Sequence, residues 1–189
     1  MKNTIKALMV VAHPDDCVIF GWPFVKRYSN FDWKILYLTY DEKQPRGNEI
    51  KNFWREEGVG VDFCGVHDDH IDLDKGTIVS FDKDRIAEYL LTKLEGYDIF
   101  LTHGWDGEYG HPHHIFVNQI LEKLSTPKIY FSKGDKANIH IDGRVFGNYK
   151  LSRLPLHREV ISKFEYRYDG FYLCDQHTKD LLTVNSNKY

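Results

Sequence analysis

Along the first two thirds of this chain, short apolar runs alternate with longer stretches whose apolar residues recur every three or four positions, and these two periods predict strands and helices in turn. Residues 5–12 are an apolar run of strand length. Val18, Ile19, Trp22, Phe24 and Val25 give 16–28 a helical period, which Pro23 permits only if it lies in a first turn. Residues 33–40 read as a second strand, 48–59 as a helix with Ile50, Phe53 and Trp54 on one stripe, and 61–64 as a third strand. A polar loop follows over 67–75, then an edge piece at 76–80. Asp82 is placed to cap a helix running to Leu94, which Gly96 closes. A strand at 98–102, a helix ending near Leu124 and a strand at 128–132 complete the regular part.

Strands and helices that alternate through short connections imply an α/β fold: a Rossmann-like, mostly parallel sheet with helices on both faces, in three layers. Beyond about residue 133 the alternation becomes irregular. That part holds a polar stretch at 134–147, a helix expected at 155–164, and an aromatic patch of Tyr166, Tyr168, Phe171 and Tyr172. A chain of 189 residues is long enough for one well-buried core and short for two, so a single domain over 1–189 is expected.

A net charge of −3 provides no basic field for nucleic acid or an anionic membrane, which leaves a small molecule or a glycan as the expected partner. Oligomeric state is not legible. Cys17, Cys64 and Cys174 are odd in number and form no CxxC pair, which argues against a disulfide scaffold or zinc ribbon and for a reducing, cytoplasmic setting. The first apolar run is too short for a signal-peptide core, and no segment has the length of a membrane span.

The chemistry gathers where apolar runs stop. The first strand ends in His13-Pro14-Asp15-Asp16, and ligands in open α/β sheets bind just beyond the carboxyl ends of such strands. A second cluster, Gly110-His111-Pro112-His113-His114, follows the 98–102 strand and opens a helix, with His111 and His114 on one face of its first turn. Together these residues can cage one metal. Two imidazoles and a carboxylate suit a catalytic Zn2+, although other divalent transition metals accept the same set. Asp15 is then left to take a proton from a water activated by that ion, and a leftover histidine to act as acid or oxyanion donor. Taken alone, the first cluster also reads as an Asp-rich helix cap, and the second as a solvated helix start with Pro112 at its first position.

The order of these motifs resembles the PIG-L or LmbE-like N-acetylglucosaminyl deacetylases. It rests on Ala12-His13-Pro14-Asp15-Asp16, on Arg46-Gly47-Asn48-Glu49, and on Thr102-His103-Gly104 followed by Gly107-Glu108-Tyr109-Gly110-His111-Pro112-His113-His114. The resemblance implies a zinc-dependent hydrolase that removes acetyl from an N-acetylated amino sugar. By the same likeness His13, Asp16 and His114 are the metal ligands and Asp15 the general base. His111 stabilises the oxyanion or protonates the amine, Arg46 reaches the substrate, and Asp68 matches a family acid after the third strand. Trp105 and Tyr109 flank the second cluster and are placed to stack on a sugar or to pack in the core.

Two positions depart from the family pattern. Cys17 stands where the family has Glu, and His113 where it has Asp. The second change removes an orienter of His111 and is expected to lower its pKa or free the ring. A thiol at Cys17 offers approach to the metal or, with His13, a cysteine nucleophile, although a buried structural cysteine is the commoner fate. Three alternatives therefore stand beside the deacetylase: a metal-dependent hydrolase of another amide, a weakened member that binds a sugar or partner without catalysis, and a cysteine hydrolase. Arg46 and Glu49 also admit a plain salt bridge at the helix start. His67, His70 and His103 are expected to be loop or supporting residues, and no role is assigned to His140, His157 or His177.

Overall fold

The computed structural model describes residues 4–67, 71–72, 77–78, 83–132, 136–142, 152–163, 170–173 and 175–185. Its main sheet has seven strands in the order β3-β2-β1-β6-β7-β9-β8. These are β1 (Lys6–Val11), β2 (Asp32–Thr39), β3 (Gly60–Val66), β6 (Ile99–Thr102), β7 (Lys128–Ser132), β8 (Ile139–His140) and β9 (Gly170–Leu173). The first five run parallel, with Met9 opposite Ile35 on one side and Leu101 on the other. β9 returns antiparallel against β7, and β8 against β9. The small strands β4 (Ile71–Asp72) and β5 (Thr77–Ile78) pair antiparallel in a separate sheet, within the stretch read as polar loop and edge piece.

β1 alternates its side chains between two cores, as a strand covered on both faces must. Ala7, Met9 and Val11 face α1 (Trp22–Arg27), α2 (Pro45–Glu56), α5 (Arg158–Lys163) and α6 (Gln176–Asn185) through Phe24, Ile50, Trp54, Ile161 and Leu182. Leu8 and Val10 face α3 (Lys83–Thr92) and α4 (Pro112–Leu121) through Leu90, Phe116, Val117 and Ile120. Helices thus cover both faces of the sheet, as predicted. Between β1 and α1 the chain makes a π-helical turn over Cys17–Gly21, and Pro23 falls in the first turn of α1, where its missing N–H is harmless. The expected helix at 155–164 is shorter, Arg158–Lys163. β9 and α6 lie in the part that had read as irregular. No helix of the described residues is long and apolar enough to cross a membrane.

Two features of the sheet position the site. β2 lies on one side of β1 and β6 on the other, so the chain reverses its winding at the β1/β6 pair and opens a crevice beyond their carboxyl ends. α2 starts beside that crevice, and Gly47 in its first turn packs so closely that an added Cβ would run into the carbonyl oxygen of Asp41. Because that neighbour is backbone and cannot swing away, Gly47→Ala is expected to destabilise the protein by about 1–3 kcal/mol. Chemical denaturation checks this, and an unchanged midpoint would show that the helix start yields freely.

Candidate active site

The tip of β1 and the loop after β6 are fastened together by hydrogen bonds. Ala12 N–H donates to His103 Nε2 at 3.0 Å, and the Asn118 amide donates to the His103 carbonyl at 2.9 Å. His13 N–H donates to Asp16 Oδ2 at 2.7 Å, folding the His-Pro-Asp-Asp turn back on itself ahead of the π-helical turn. Such π turns recur at functional sites because they re-aim neighbouring side chains.

This brings three ligand atoms to nearly equal spacing. His13 Nδ1 and His114 Nε2 are each 3.3 Å from Asp16 Oδ2 and 3.3 Å from one another. The edge of a tetrahedron with zinc–ligand bonds of roughly 2.0–2.1 Å is about 3.3–3.4 Å, so the triangle fits one face of a tetrahedral site. The ring tautomers agree with that. His114 Nδ1 lies 2.6 Å from Glu108 Oε2 and must donate to it, which leaves a lone pair on Nε2. His13 Nε2 faces His113 Nδ1 at 3.1 Å and can donate there, which leaves its lone pair on Nδ1. Ligand atoms of His13, His111 and His114, and of Asp16, His103 and His114, form further close sets. His103 Nε2, however, is taken by the Ala12 N–H.

Glu108 is the residue that sequence reasoning missed. Its Oε2 accepts from His114 Nδ1 and, at 2.7 Å, from His103 Nδ1, while Oε1 accepts from the Gly104 N–H at 2.8 Å. Burial alone would raise its pKa, but the two imidazoles outweigh burial and hold it at about 2. The carboxylate is turned inward by an unusual backbone. Glu108 sits at φ 63°, ψ −49° in the irregular turn Gly107–Gly110, a conformation that L residues adopt only when the surroundings enforce it. The flanking Gly107 and Gly110, both at positive φ, were the available signal. Glu108→Gln keeps the shape but cannot accept from both rings and Gly104 as an anion. The affinity of the cluster for zinc should fall about 10–100-fold, read by competition with a chelator. Equal affinity in the variant would mean that Glu108 is only a loop anchor.

Asp15 lies beside the triangle, buried, with Oδ1 accepting from Arg46 Nη2 at 2.9 Å. Burial and the charge of Asp16 push its pKa up, while His13 and Arg46 pull against them. Asp16 is driven the other way. Burial opposes ionisation, but His114 and His13 hold its carboxyl well below the usual range. Arg46 also donates to the Tyr40 hydroxyl at 2.8 Å and stacks over that ring. Glu49, one turn on, accepts from His157 Nδ1 at 2.6 Å and from the Leu156 N–H. Arg46 and Glu49 therefore reach different partners instead of making the helix-start salt bridge.

His111 stacks on His114, with ring centroids 4.6 Å apart, and its Nδ1 accepts from the His113 N–H at 3.3 Å, so the ring proton sits on Nε2. Burial first, then His13 and His114, lower its pKa to about 3, and the ring is neutral at pH 7. The drop foreseen from the missing aspartate thus has another cause. His113 turns toward His13, while its own backbone steadies His111.

The remaining residues fall in different places. The Cys17 thiol lies in the core, accepting from the Tyr37 hydroxyl at 2.8 Å and from Trp54 Nε1 at 3.0 Å and donating to the Pro14 carbonyl; burial raises its pKa. Neither a nucleophile nor a ligand role suits it there. Tyr109 sets its ring edge-on to His111 and His114 and is half-exposed. Trp105 is 74% exposed, which rules out core packing. Asp68 and His70 lie outside the described residues.

Comparison with known proteins fits this geometry. The profile of the family described as PIG-L, GlcNAc-PI de-N-acetylase, matches residues 8–125. A probable N-acetylglucosaminyl-phosphatidylinositol de-N-acetylase of Dictyostelium discoideum is 25% identical over 65% of this chain, which spans 50% of that protein. Among solved structures, the 4-carboxy-2-hydroxymuconate hydratase GalB of Pseudomonas putida superposes with TM-score 0.58 at 14% identity, over 85% of this chain and 82% of its own. The zinc-inhibited form of teicoplanin deacetylase gives TM-score 0.57 at 10% identity, over 96% and 94%. These two likenesses show a shared fold, and a hydratase beside a deacetylase means that the fold alone does not choose the reaction. Since the profile covers both motif clusters and more than half of the chain, the chain belongs to the PIG-L family.

Proposed function

We propose that this protein is a metal-dependent deacetylase acting on an N-acetylated amino sugar, with His13, Asp16 and His114 holding a zinc-type ion. The observation that carries the reading is the 3.3 Å triangle of their ligand atoms with the buried carboxylate of Asp15, held by Arg46, alongside. Such an ion, when bound, supplies Lewis acidity and lowers the pKa of water. Iron or cobalt in the divalent state meets the same nitrogen and oxygen set.

The chain's own residues do the rest. Asp15 accepts the proton of the attacking water, with Arg46 fixing its Oδ1 and leaving Oδ2 for the transfer. His111, neutral and protonated on Nε2, donates a hydrogen bond to the oxygen that gains charge as the carbonyl becomes tetrahedral. Its low proton affinity favours this role over delivering a proton to the departing amine. Tyr109 and the Tyr40–Arg46 pair border the site and are the groups best placed to meet the sugar. The thiols of Cys17 and Cys64 are unpaired with each other, which supports a reducing compartment.

Assaying amine release from a panel of N-acetylated sugars and non-sugar acetamides, with the metal-loaded protein, tests the reading. Release from the sugars, absent in Asp15→Asn, is the expected result. Release only from the non-sugar amides would favour the hydrolase of another amide, and no release by fully metal-loaded protein would favour the non-catalytic binder.

A further inference from the structure

A cleft of about 620 Å³ opens beside the candidate active site and shares Gly104 and Glu108 with it. Its size is that of pockets which bury small ligands. The walls come from the loop after β6, from the ends of α4 and β7, and from β9, so it lies at the carboxyl edge of the parallel strands. Trp105, Tyr130 and Tyr172 give it aromatic surface, and Asp106, Glu122 and Lys136 give it charge.

Two of these aromatic residues are conspicuous for their exposure. Trp105 is 74% and Tyr172 43% exposed, and exposed large apolar side chains gathered around one cavity mark a binding surface. Trp105 is also held in place. The Lys136 ammonium lies over its ring, 5.2 Å from the centroid, and is anchored by Asp106 Oδ2 at 3.4 Å. The ring thus meets a cation on one face while most of the side chain stays open. Across the cleft the Tyr130 hydroxyl donates to Glu122 Oε1 at 2.5 Å, which fixes that carboxylate while leaving its second oxygen unassigned.

We infer that this cleft is a carbohydrate subsite, which takes a pyranose ring bearing a free or protonated amine next to the sugar whose acetyl group is removed. Its place beside the reacting sugar rests on the deacetylase reading; its preference for an amino sugar rests on the cleft itself. The C–H face of a pyranose packs on an aromatic ring while its hydroxyls need polar partners at the edge, and Trp105 and Tyr172 with Glu122 and Ser132 provide both. The charge favours an amine. Glu108 spends both oxygens on two ring N–H groups and the Gly104 N–H, and Asp106 is paired with Lys136, which leaves Glu122, held by the neutral Tyr130 hydroxyl, as the anion offered to the cleft. An acyl chain would press the Glu122 carboxylate against hydrocarbon, and an anionic ligand would face its charge.

The test uses the metal-loaded protein and a β-1,4-linked trimer of glucosamine, which has no acetyl group to lose. Trp22, Trp33 and Trp54 are buried, so a saturable change in the tryptophan emission sensitive to solvent quenchers reports on Trp105. The expected result is saturable binding of the trimer by calorimetry and by emission, weakened at least about tenfold in Trp105→Ala and in Tyr172→Ala. Glu122→Gln should weaken the glucosamine trimer more than the N-acetylglucosamine trimer. Circular dichroism confirms that the variants are folded. The inference is overturned if the trimer does not bind, if it binds equally well to both aromatic variants, or if octanoate binds in its place. Amine release from monomeric N-acetylglucosamine, measured in parallel on the wild type, reports on the deacetylase reading alone, so the failure of either idea is seen separately.

Discussion

Purified without an affinity tag, the protein should carry about one transition-metal ion per chain, and alanine at His13, Asp16 or His114 should reduce that to a trace. Each of the three contributes one corner of a triangle with 3.3 Å sides, so losing any one breaks the tetrahedral face that the other two share. His103 Nε2 lies 3.4 Å from Asp16 Oδ2, but it is engaged by the Ala12 N–H, and the ring's Nδ1 by Glu108. Loss of a direct ligand should therefore weaken binding by more than the roughly 10–100-fold of a supporting residue. Elemental analysis after reconstitution with zinc measures it. Retention of a full equivalent by all three variants would place the ion elsewhere and remove the basis for the mechanism.

The second large effect is on turnover. Asp15→Asn should lower kcat by about 10²–10⁴ while leaving metal content unchanged, because the amide keeps the Arg46 hydrogen bond and loses only the ability to take a proton. A variant that lost both activity and metal would show Asp15 to be a ligand. Arg46→Gln provides an independent check on the same group. The guanidinium pulls the Asp15 pKa down against burial and Asp16, so its removal lets that pKa rise. The carboxylate is then protonated at higher pH, and the acid limb of kcat/KM should move toward alkaline pH. A limb that stayed in place would mean that another group sets it.

The sequence made some of this site legible and hid the rest for identifiable reasons. β1 and its His-Pro-Asp-Asp turn were readable because a buried parallel strand is a continuous apolar run and its ligands follow it directly. The His111–His114 helix start was readable from its spacing. Glu108 was not, because its role depends on a backbone turned to positive φ, and an acid in a glycine-rich loop has no period to betray it. His157 was invisible for a different reason. It reaches Glu49 from 108 residues away, out of the irregular part beyond about residue 133, where the helix expected at 155–164 says nothing of its partner. β9 shares that stretch, and its pairing antiparallel to β7 breaks the pattern by which the other strands were recognised. The family resemblance assigned roles to residues but could not foresee that the thiol of Cys17 would turn into the core against Tyr37 and Trp54.

The fastening of β1 to the loop after β6 also bears on when the site assembles. His13 and His114 are 101 positions apart, and Ala12 and His103 are 91 apart. A chain that long must close a large loop, against its entropy, before the two strands can pair, so the contacts that make the cluster are expected to form late. A metal ion is therefore not expected to nucleate this protein as it does a zinc finger, whose ligands lie close together in sequence. On the reading proposed above, an ion would be captured by a frame already folded and would add stability by mass action. Chelation should thus empty the cluster without unravelling the sheet, and returning the ion should restore it without passage through the unfolded chain.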